Sequence, residues 1–302
     1  MEHLNNNAFV YRALRFFYRV APFDIRGGWN SSCPQPQKGL LSCLLIASVR
    51  PHILEGILWD LAHQTLTADK FEVVILNDGA GENVAAVVQK YEKKLRIQYR
   101  EFPTPQRILS NLRNTTCAMA QGEFFLFLDD DTRILQSDFL EKALQLFQQE
   151  GPDIILPRAH ALYGIVKERY DFLDAYSFTN RCSLFRRAVL EQIGGFNRDL
   201  NTYEDTEMSI RLMIKNFRAV KTDALNYFHP PLYFDSMRKP LAIGQTIFQM
   251  RQHYSWLVWV LAYVNALRFL PYGLIPCPGH QQWFKISLGV LLYPVVRRSY
   301  YY

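Results

Sequence analysis

A strongly apolar run near the middle of the chain ends in three consecutive carboxylates. Residues 124–132 read FFLFLDDDT, so five apolar residues lead into Asp129, Asp130 and Asp131. Strands that are apolar on both faces are typical of parallel sheets covered by helices. In open sheets of this kind, ligands bind beyond the carboxyl ends of the strands. The run therefore predicts a buried strand whose acidic end lies where a functional site is expected.

The three carboxylates also indicate which ligand to expect. Adjacent carboxylates repel one another unless a cation compensates their charge. Sets of oxygen ligands suit Mg²⁺ or Mn²⁺, and Mg²⁺ typically takes one or two carboxylates together with substrate phosphates. The acids therefore predict a site for Mn²⁺ or Mg²⁺. A solvated turn whose charges have no task is the alternative interpretation, because acidic turns are common.

Strand-like and helix-like segments alternate along most of the chain. Predicted strands cover 40–48, 71–77, 96–102, the run ending at Asp129, 153–157 and 183–187. Predicted helices cover 52–65, 82–93, 107–120, 137–149, 188–193 and 202–217. Repeated strand–helix units predict an α/β fold with a mostly parallel, Rossmann-like sheet flanked by helices. Residues 160–181 are expected to mix helix and loop.

The N-terminal region differs from this pattern. Residues 8–21 predict an amphipathic helix in which Arg12, Arg15 and Arg19 form one stripe. A basic, aromatic helix of this kind suits a membrane interface, although packing on its own domain is an equal alternative. A linker rich in Gly, Ser, Pro and Gln follows at about 27–39. We therefore expect 1–38 to form a helix and linker, separate from the central domain at 39–235.

The C-terminal region, 236–302, is expected to form a helical extension. Its stretches 255–267 and 286–296 carry no charge, but both are shorter than the roughly 20 residues that a transmembrane helix needs. Aromatic residues and basic flanks favour attachment to the surface of a membrane. The alternatives are two buried helices that close the core, or a re-entrant hairpin around the proline-containing segment 271–278.

Composition limits the remaining possibilities. The net charge of +6 could favour phosphates or an anionic membrane, but no dense basic run indicates a nucleic-acid partner. The five cysteines are odd in number and lack a CxxC pair, which fits a reducing compartment without a zinc site. Arginines interrupt the N-terminal apolar region, so a secretory signal is not expected. These points favour a cytoplasmic protein, peripheral at the inner face of the cell membrane.

Polar residues follow several of the predicted strands. Ser48 ends the first strand, Asp78 lies in the turn NDGA after the second, and the acidic cluster ends the fourth. A later helix begins with the sequence YED, which contains Glu204 and Asp205. In a parallel sheet these strand ends meet in one crevice. Asp78 is placed to accept hydrogen bonds from a nucleobase, although an ordinary turn aspartate is the simpler interpretation.

In this order, the motifs resemble those of the family 2 glycosyltransferases, which have the GT-A fold. The resemblance covers 40 to about 235. It rests on LLIAS, HQTL, VILNDGA, RNTTCAMAQGEFFLFLDDDT and IGGFNRDLNTYEDTEMSIRL. It implies inverting transfer of a single sugar from a nucleoside-diphosphate sugar (UDP, GDP or dTDP) to a hydroxyl acceptor. A lipid-linked glycan or envelope polysaccharide is the expected acceptor.

The resemblance also implies roles for residues of the donor site. It places Asp78 at the base and Arg113 near the nucleotide. Asp129 or Asp130 would hold the ribose, while Asp131 would bind the metal that bridges the diphosphate, with Asp129 as a further candidate ligand.

On the acceptor side, Asp205 corresponds to the catalytic base of the family, with Glu204 beside it near the acceptor. His229, in YFHP, lies where some relatives supply a further metal ligand. Two alternatives remain open. The pattern Thr202-x-x-Asp205 also fits a capping box at the start of a helix, and a histidine before two prolines is often structural.

The chain departs from the family pattern at the end of the first strand. Ser48, Val49, Arg50 and Pro51 replace the usual Thr-Tyr-Asn-Arg, so the binding of the base is changed and Arg50 is a candidate phosphate ligand. The Q-x-x-R-W motif of processive synthases is missing, which favours single transfer. A degenerate member acting as a nucleotide-sugar-binding scaffold subunit is one alternative, and a sugar nucleotidyltransferase is another.

Overall fold

The computed structural model describes residues 2–3, 9–29, 35–47, 51–79, 83–105, 108–161, 178–200, 202–230 and 233–297. The strands are β1 (Glu2–His3), β2 (Gln37–Ala47), β3 (Phe71–Asn77), β4 (Ile97–Glu101), β5 (Gly122–Asp129), β6 (Arg133–Ile134), β7 (Ile154–Ala161), β8 (Cys182–Arg186) and β9 (Ala219–His229). The helices of the central region are α1 (Phe9–Val20), α2 (Pro51–Ala62), α3 (Val84–Tyr91), α4 (Leu109–Met119), α5 (Phe139–Gln149), α6 (Arg187–Ile193) and α7 (Glu204–Lys215). The C-terminal helices are α8 (Arg238–Gln249), α9 (Trp256–Ala266) and α10 (Pro278–Val296).

Nine strands of the described residues form one sheet in the order β1-β9-β7-β8-β5-β2-β3-β4, with β6 paired to β9. The pairs β2–β3, β2–β5, β3–β4 and β7–β9 are parallel. Strand β8 runs antiparallel between β5 and β7, so β5 and β7 point in the same direction. The expected α/β architecture is confirmed, and the antiparallel β8 makes the sheet mixed.

Strand β9 is not predicted by the sequence pattern. Its 11 residues read AVKTDALNYFH, with polar residues in the middle, and its pairing with β7 shifts register between Pro157 and Arg158. Neither a continuous apolar run nor a regular alternation marks it as a strand. The omission matters because β9 ends at His229.

The central strands are buried on both faces because each face packs against helices. Leu41, Cys43 and Leu45 of β2 belong to a core with α2, α3 and α5. Leu44, between them in sequence, belongs to a second core with α4, α6 and α7. Successive side chains of a strand point to opposite faces, so one apolar strand serves both cores.

A third apolar cluster joins the two ends of the chain to helix α7. Leu14 of α1, Ile214 of α7, Val258 of α9 and Val290 of α10 are buried together in it. The inner faces of the terminal helices therefore pack on the body of the protein. This agrees with the alternative in which these helices close a core, but it leaves their outer faces to be considered separately.

The predicted linker is partly ordered against the body. The backbone N–H groups of Gly27, Gly28 and Trp29 donate to the carbonyl oxygens of Ile193, Phe196 and Gly194, respectively, at 2.7 to 2.8 Å. We call residues 27–29 the N-terminal strap. These hydrogen bonds hold the segment that follows α1 beside the turn that follows α6.

Within the described ranges, one helical segment, Trp256–Leu274, is long and apolar enough to cross a bilayer by length and composition. Its most apolar window has a mean hydropathy of 1.4, and 17% of that window is buried. The segment is not one continuous α-helix, because a 3₁₀ stretch containing Pro271 covers its second part, Leu267–Leu274.

Candidate active site

The site lies at the carboxyl edge of the sheet. Strand β5 ends at Asp129, opposite Ile46 of β2, and β9 ends at His229, opposite Ala161 of β7. Because these strands all point the same way, their ends meet at one edge. The missed strand therefore brings a histidine to the acidic cluster that the sequence singled out.

Asp129, Asp131 and His229 present one ligand atom each within 4.8 Å of one another. The Nε2 atom of His229 is 3.2 Å from Oδ1 of Asp131 and 3.5 Å from Oδ2 of Asp129. Its Nδ1 atom lies 2.7 Å from the carbonyl oxygen of Pro230, which is an acceptor for the Nδ1 proton. Ligating histidines usually donate their second N–H in this way, leaving the other nitrogen for the metal.

The electrostatics of this cluster favour a cation. Burial alone would lower the pKa of His229, but its hydrogen bonds to Asp129 and Asp131 raise that pKa above its ordinary value. The two carboxylates therefore attract positive charge to the point that Nε2 faces. Two carboxylates and one imidazole form a donor set that suits Mn²⁺, and Mg²⁺ with more water ligands.

Arg113 is buried beside the cluster. Its Nη2 donates to Oδ1 of Asp129 at 2.5 Å, and its Nε lies 3.9 Å from Oε1 of Glu204. Burial opposes ionisation of Asp129, but the charges of Arg113 and His229 outweigh it and hold the pKa of Asp129 far below its usual range. Among the described residues, Nε and Nη1 of Arg113 have no hydrogen-bond partner. Buried donors without partners are costly, so a ligand that accepts from them would be stabilised.

Glu204 and Asp205 open helix α7 next to Arg113. Glu204 is buried and accepts a hydrogen bond from Nδ2 of Asn180 at 3.0 Å. Burial first, and the charge of Asp205 second, raise the pKa of Glu204 to about 7. Burial also raises the pKa of Asp205, against the opposing charge of Arg181. A base with a raised pKa accepts a proton more readily while it remains ionised near neutral pH.

The predicted capping box is wrong for its first residue, Thr202. Helix α7 begins at Glu204, and the residue before it, Tyr203, has a φ of 64° and makes no capping hydrogen bond with its side chain. Thr202 therefore does not cap the helix. Oδ1 of Asp205 accepts from the backbone N–H of Thr206 at 2.6 Å, within the first turn, so Asp205 does satisfy one helix N–H. A non-glycine residue in the left-handed region is strained, and such strain is frequent at functional sites.

The other predicted residues are distributed around this centre. Asp130 is buried between its two neighbours. Asp78 directly follows β3, and its backbone N–H donates to Ala47 at the end of β2. Ser48 and Arg50 lie outside the described residues, so their predicted roles have no structural account.

Two further residues of the site, Arg181 and Asn180, are not predicted by the sequence pattern. Arg181 directly precedes β8, and its charge acts on Asp205 and on His229. Its carbonyl oxygen accepts from the backbone N–H of Asp129 and from Oγ1 of Thr132. Only the antiparallel pairing of β8 with β5 places Arg181 there, and no local pattern in the sequence indicates it.

The two glycines before Phe196 form a turn that Asn114 holds in place. Gly195 has a φ of 66°, and a Cβ atom there would lie 2.5 Å from Oδ1 of Asn114. Asn114 accepts from the backbone N–H of Phe196 and donates to its carbonyl oxygen. These contacts indicate that the glycines serve a tight backbone turn. Neighbouring residues of one motif thus serve two purposes: Arg113 contacts the acidic cluster, and Asn114 holds the glycine turn.

Comparison with known proteins supports the family resemblance and the fold. Residues 42–170 match the sequence model described as "Glycosyl transferase family 2". The resemblance to this family is therefore confirmed over residues 42–170, and the fold expected from it is confirmed.

Among sequence relatives, the poly(ribitol-phosphate) beta-N-acetylglucosaminyltransferase TarS of Staphylococcus aureus is 29% identical over 108 residues, which are 36% of this chain and 19% of TarS. Validoxylamine A glucosyltransferase of Streptomyces hygroscopicus subsp. limoneus is 33% identical over 37% of this chain and 23% of its own length. The chain thus matches about a fifth of the length of these curated relatives.

Solved structures share the fold. TarS residues 1–349 of S. aureus in complex with UDP-GlcNAc align with a TM-score of 0.58 at 18% identity, over 84% of this chain and 81% of that one. The mannosyltransferase PcManGT of Pyrobaculum calidifontis, in complex with GDP-Man and Mn²⁺, aligns with a TM-score of 0.60 at 14% identity, over 96% of both chains.

Proposed function

We propose that this protein is a metal-dependent, inverting glycosyltransferase that moves one sugar from a nucleoside-diphosphate sugar to a hydroxyl acceptor. One observation carries the proposal. In a chain whose residues 42–170 match the family 2 glycosyltransferase model, Asp129, Asp131 and His229 lie one buried arginine away from Glu204 and Asp205. We call the first three residues the cation-binding group, because their donor atoms could hold a cation.

Asp131, Asp129 and His229 would hold Mn²⁺ or Mg²⁺. When bound, such an ion neutralises charge that develops on the leaving diphosphate. The presence of Mn²⁺ in the structure of PcManGT is consistent with this choice. Arg181 and Arg113 would add two fixed positive charges beside the same phosphates. Preorganised charges of this kind often contribute most to catalysis.

Asp205 would act as the catalytic base. It takes the proton of the acceptor hydroxyl as that oxygen bonds to the anomeric carbon, while the bond from that carbon to the diphosphate oxygen breaks. Attack from the face opposite the diphosphate inverts the anomeric centre. Asp205 is the more accessible of the two acids, whereas Glu204 is buried against Asn180 and Arg113. Glu204 would therefore position the start of α7 and the acceptor.

The nucleoside would bind across the ends of β2, β3 and β5. Asp78 would contact the base, and Asp130, or Asp129, would hold the ribose. Ser48 and Arg50 are proposed to complete this half of the site. The UDP-GlcNAc and GDP-Man bound in the related structures make UDP and GDP sugars the first donors to test, with dTDP sugars after them. The name of TarS, a poly(ribitol-phosphate) beta-N-acetylglucosaminyltransferase, supports a polymer as the acceptor. An envelope polysaccharide or a lipid-linked glycan is the acceptor we propose.

Release of nucleoside diphosphate from a panel of UDP, GDP and dTDP sugars tests the proposal. We expect release from one donor in Mn²⁺ or Mg²⁺, loss of release with chelator, and loss in Asp205→Asn. Nucleotide binding without release, across a range of carbohydrate acceptors, would favour the scaffold subunit instead. Accumulation of a nucleoside-diphosphate sugar from a sugar phosphate and a nucleoside triphosphate would favour the nucleotidyltransferase. An absence of nucleotide binding would overturn both the transferase and the scaffold.

A further inference from the structure

The outer faces of the terminal helices expose apolar side chains in regular stripes. On α1 these are Phe9, Phe16 and Val20, and Phe9 is 83% exposed. On α9 they are Trp256, Val260 and Val264, and Trp256 is 69% exposed. Residues at these spacings lie along one side of a helix. Helices α1 and α9 pack against each other. We call these six residues the exposed stripes.

Basic side chains accompany the stripes. Arg12 and Arg19 are exposed on α1, next to Phe9 and Phe16 around the helix, and Arg268 continues the spacing of Val260 and Val264. Arg15, which the sequence placed in the same stripe, instead donates to Oδ1 of Asn216 on the inner side. Arg12 and Arg19 are therefore the arginines of α1 that lie beside the exposed stripes.

The charged side chains in the region made of α1 and residues 236–302 are all positive. Helix α1 and residues 236–302 contain no Asp or Glu, whereas 236–302 contain seven Lys and Arg. The net charge of the chain is +6, and this region alone carries +10, so the other 223 residues carry a formal charge of −4. A surface that combines exposed aromatic and aliphatic side chains with arginines, and lacks acids, complements an anionic lipid headgroup layer.

The inner contacts of α9 decide between lying on a bilayer and crossing it. Val258 and Ala266 are buried in the third cluster. Nε1 of Trp259 donates to the carbonyl oxygen of Ile247 at 2.9 Å, and Oγ of Ser287 donates to that of Ala266 at 2.6 Å. A helix held on one side by protein cannot be surrounded by lipid along its length, so only its outer side is available to a membrane.

We propose that the exposed stripes on α1 and α9, with Arg12, Arg19 and Arg268, form a docking surface for an anionic membrane, on which the protein lies as a peripheral, monotopic domain. Phe9, Phe16 and Trp256 enter the interface between headgroups and acyl chains. The arginines contact lipid phosphates. This inference does not depend on the proposed transferase activity, because it concerns a surface made of other residues.

Flotation of the whole chain with vesicles tests the docking surface. We expect binding to phosphatidylcholine vesicles that contain phosphatidylglycerol, and weak binding to phosphatidylcholine alone. Arg12→Gln with Arg19→Gln should weaken binding to the anionic vesicles by roughly 30-fold, about fivefold for each arginine. Phe9→Ser with Phe16→Ser should weaken it by at least about tenfold, because two aromatic rings no longer leave water.

Matched controls separate this surface from general charge and hydrophobicity. Lys93→Gln with Lys94→Gln removes two exposed positive charges elsewhere, and Trp59→Ser removes an aromatic ring that is 52% exposed on α2. Both control variants should bind like the wild type. All the substituted side chains are exposed, and thermal unfolding by circular dichroism checks that each variant folds.

Three results would overturn the proposal. The first is that the protein binds neither kind of vesicle. The second is an equal loss of binding in the controls. The third is a dimer in light scattering that the Phe9→Ser, Phe16→Ser variant dissociates, because the exposed stripes would then bind a second copy of the chain. Asp205→Asn should float like the wild type, so failure of docking and failure of the proposed activity are distinguished.

Discussion

Nη2 of Arg113 donates to Oδ1 of Asp129 at 2.5 Å, and this contact joins the cation-binding group to the start of helix α7. The same guanidinium lies 3.9 Å from Glu204, which neighbours the proposed base. One buried side chain thus sets the distance between the two halves of the site. Its geometry, and not only its charge, is expected to matter.

Arg113→Lys keeps the charge but replaces a planar fork with a single ammonium group. We expect kcat/KM to fall by about 10- to 100-fold, the range found when groups that orient a metal site are changed. Steady-state kinetics of donor turnover measure it. Arg100→Lys, at an exposed position on β4, is the control and should be unchanged. Equal rates in both variants would contradict the role of Arg113.

Asp205→Asn removes the proposed base while preserving size. The rate should fall by about 10²- to 10⁴-fold, because proton abstraction typically contributes that much. Binding of the nucleoside diphosphate, measured by calorimetry, should stay close to wild type. Asp199→Asn, an exposed acid in the loop before α7, is the matched control. An active Asp205→Asn enzyme would remove Asp205 from the mechanism.

His229→Ala tests the cation-binding group. Losing one of three ligands should raise the Mn²⁺ concentration needed for half-maximal activity by about tenfold or more. A titration of activity against Mn²⁺, and direct Mn²⁺ binding followed by electron paramagnetic resonance, measure the change. His63→Ala, at an exposed histidine directly after α2, is the control. An unchanged Mn²⁺ titration would show that His229 is structural.

Glu204 makes stability depend on pH. Its pKa is about 7 in the folded chain, against an ordinary value of 4.5. The folded state therefore binds more protons than the unfolded state between these values, and the free energy of unfolding falls as the pH rises through that interval. The glutamine of Glu204→Gln cannot ionise. The free energy of unfolding of this variant should therefore rise relative to that of the wild type between pH 5 and pH 8. Urea unfolding in the presence of chelator measures the free energy of unfolding of both proteins at each pH. If the two free energies change with pH in parallel, the raised pKa of Glu204 is contradicted.

Gly289→Ala should loosen the C-terminal helices. A Cβ atom there would lie 2.2 Å from the carbonyl oxygen of Pro240 on α8. Overpacking of this kind costs about 1 to 3 kcal/mol, seen as a lower Tm. Gly56→Ala is a matched control on α2, where the nearest atom to a new Cβ would be Cδ of Arg133 at 3.4 Å. The control should be neutral or slightly stabilising, because alanine favours helices over glycine.

The sequence indicates most of the parallel part of the fold. Strands β2, β3 and β5 are apolar on both faces, so their composition alone predicts burial and direction, and the acids after β5 follow from that. The same reasoning does not predict β9, because its middle residues are polar and its pairing with β7 shifts register. The family resemblance predicts a role for His229, but the distance from His229 to Asp131 depends on strand β9.

Other parts of the site depend on contacts between distant segments. Arg181 approaches Asp205 only because β8 pairs antiparallel with β5. The inner faces of the terminal helices are buried, as the core interpretation predicts, and their outer faces are exposed, so attachment to a membrane stays a prediction. A single hydrophobic profile along the chain cannot separate the two faces of one helix.

The N-terminal strap has a practical consequence for work with this protein. Removing the first 29 residues to improve solubility would delete α1 and also three backbone donors to the turn that Asn114 holds. Such a shortened protein would be expected to lose activity even in a detergent-free assay with a soluble acceptor. An inactive truncation would then report damage to the glycine turn, and it would be mistaken for proof that catalysis requires a lipid bilayer.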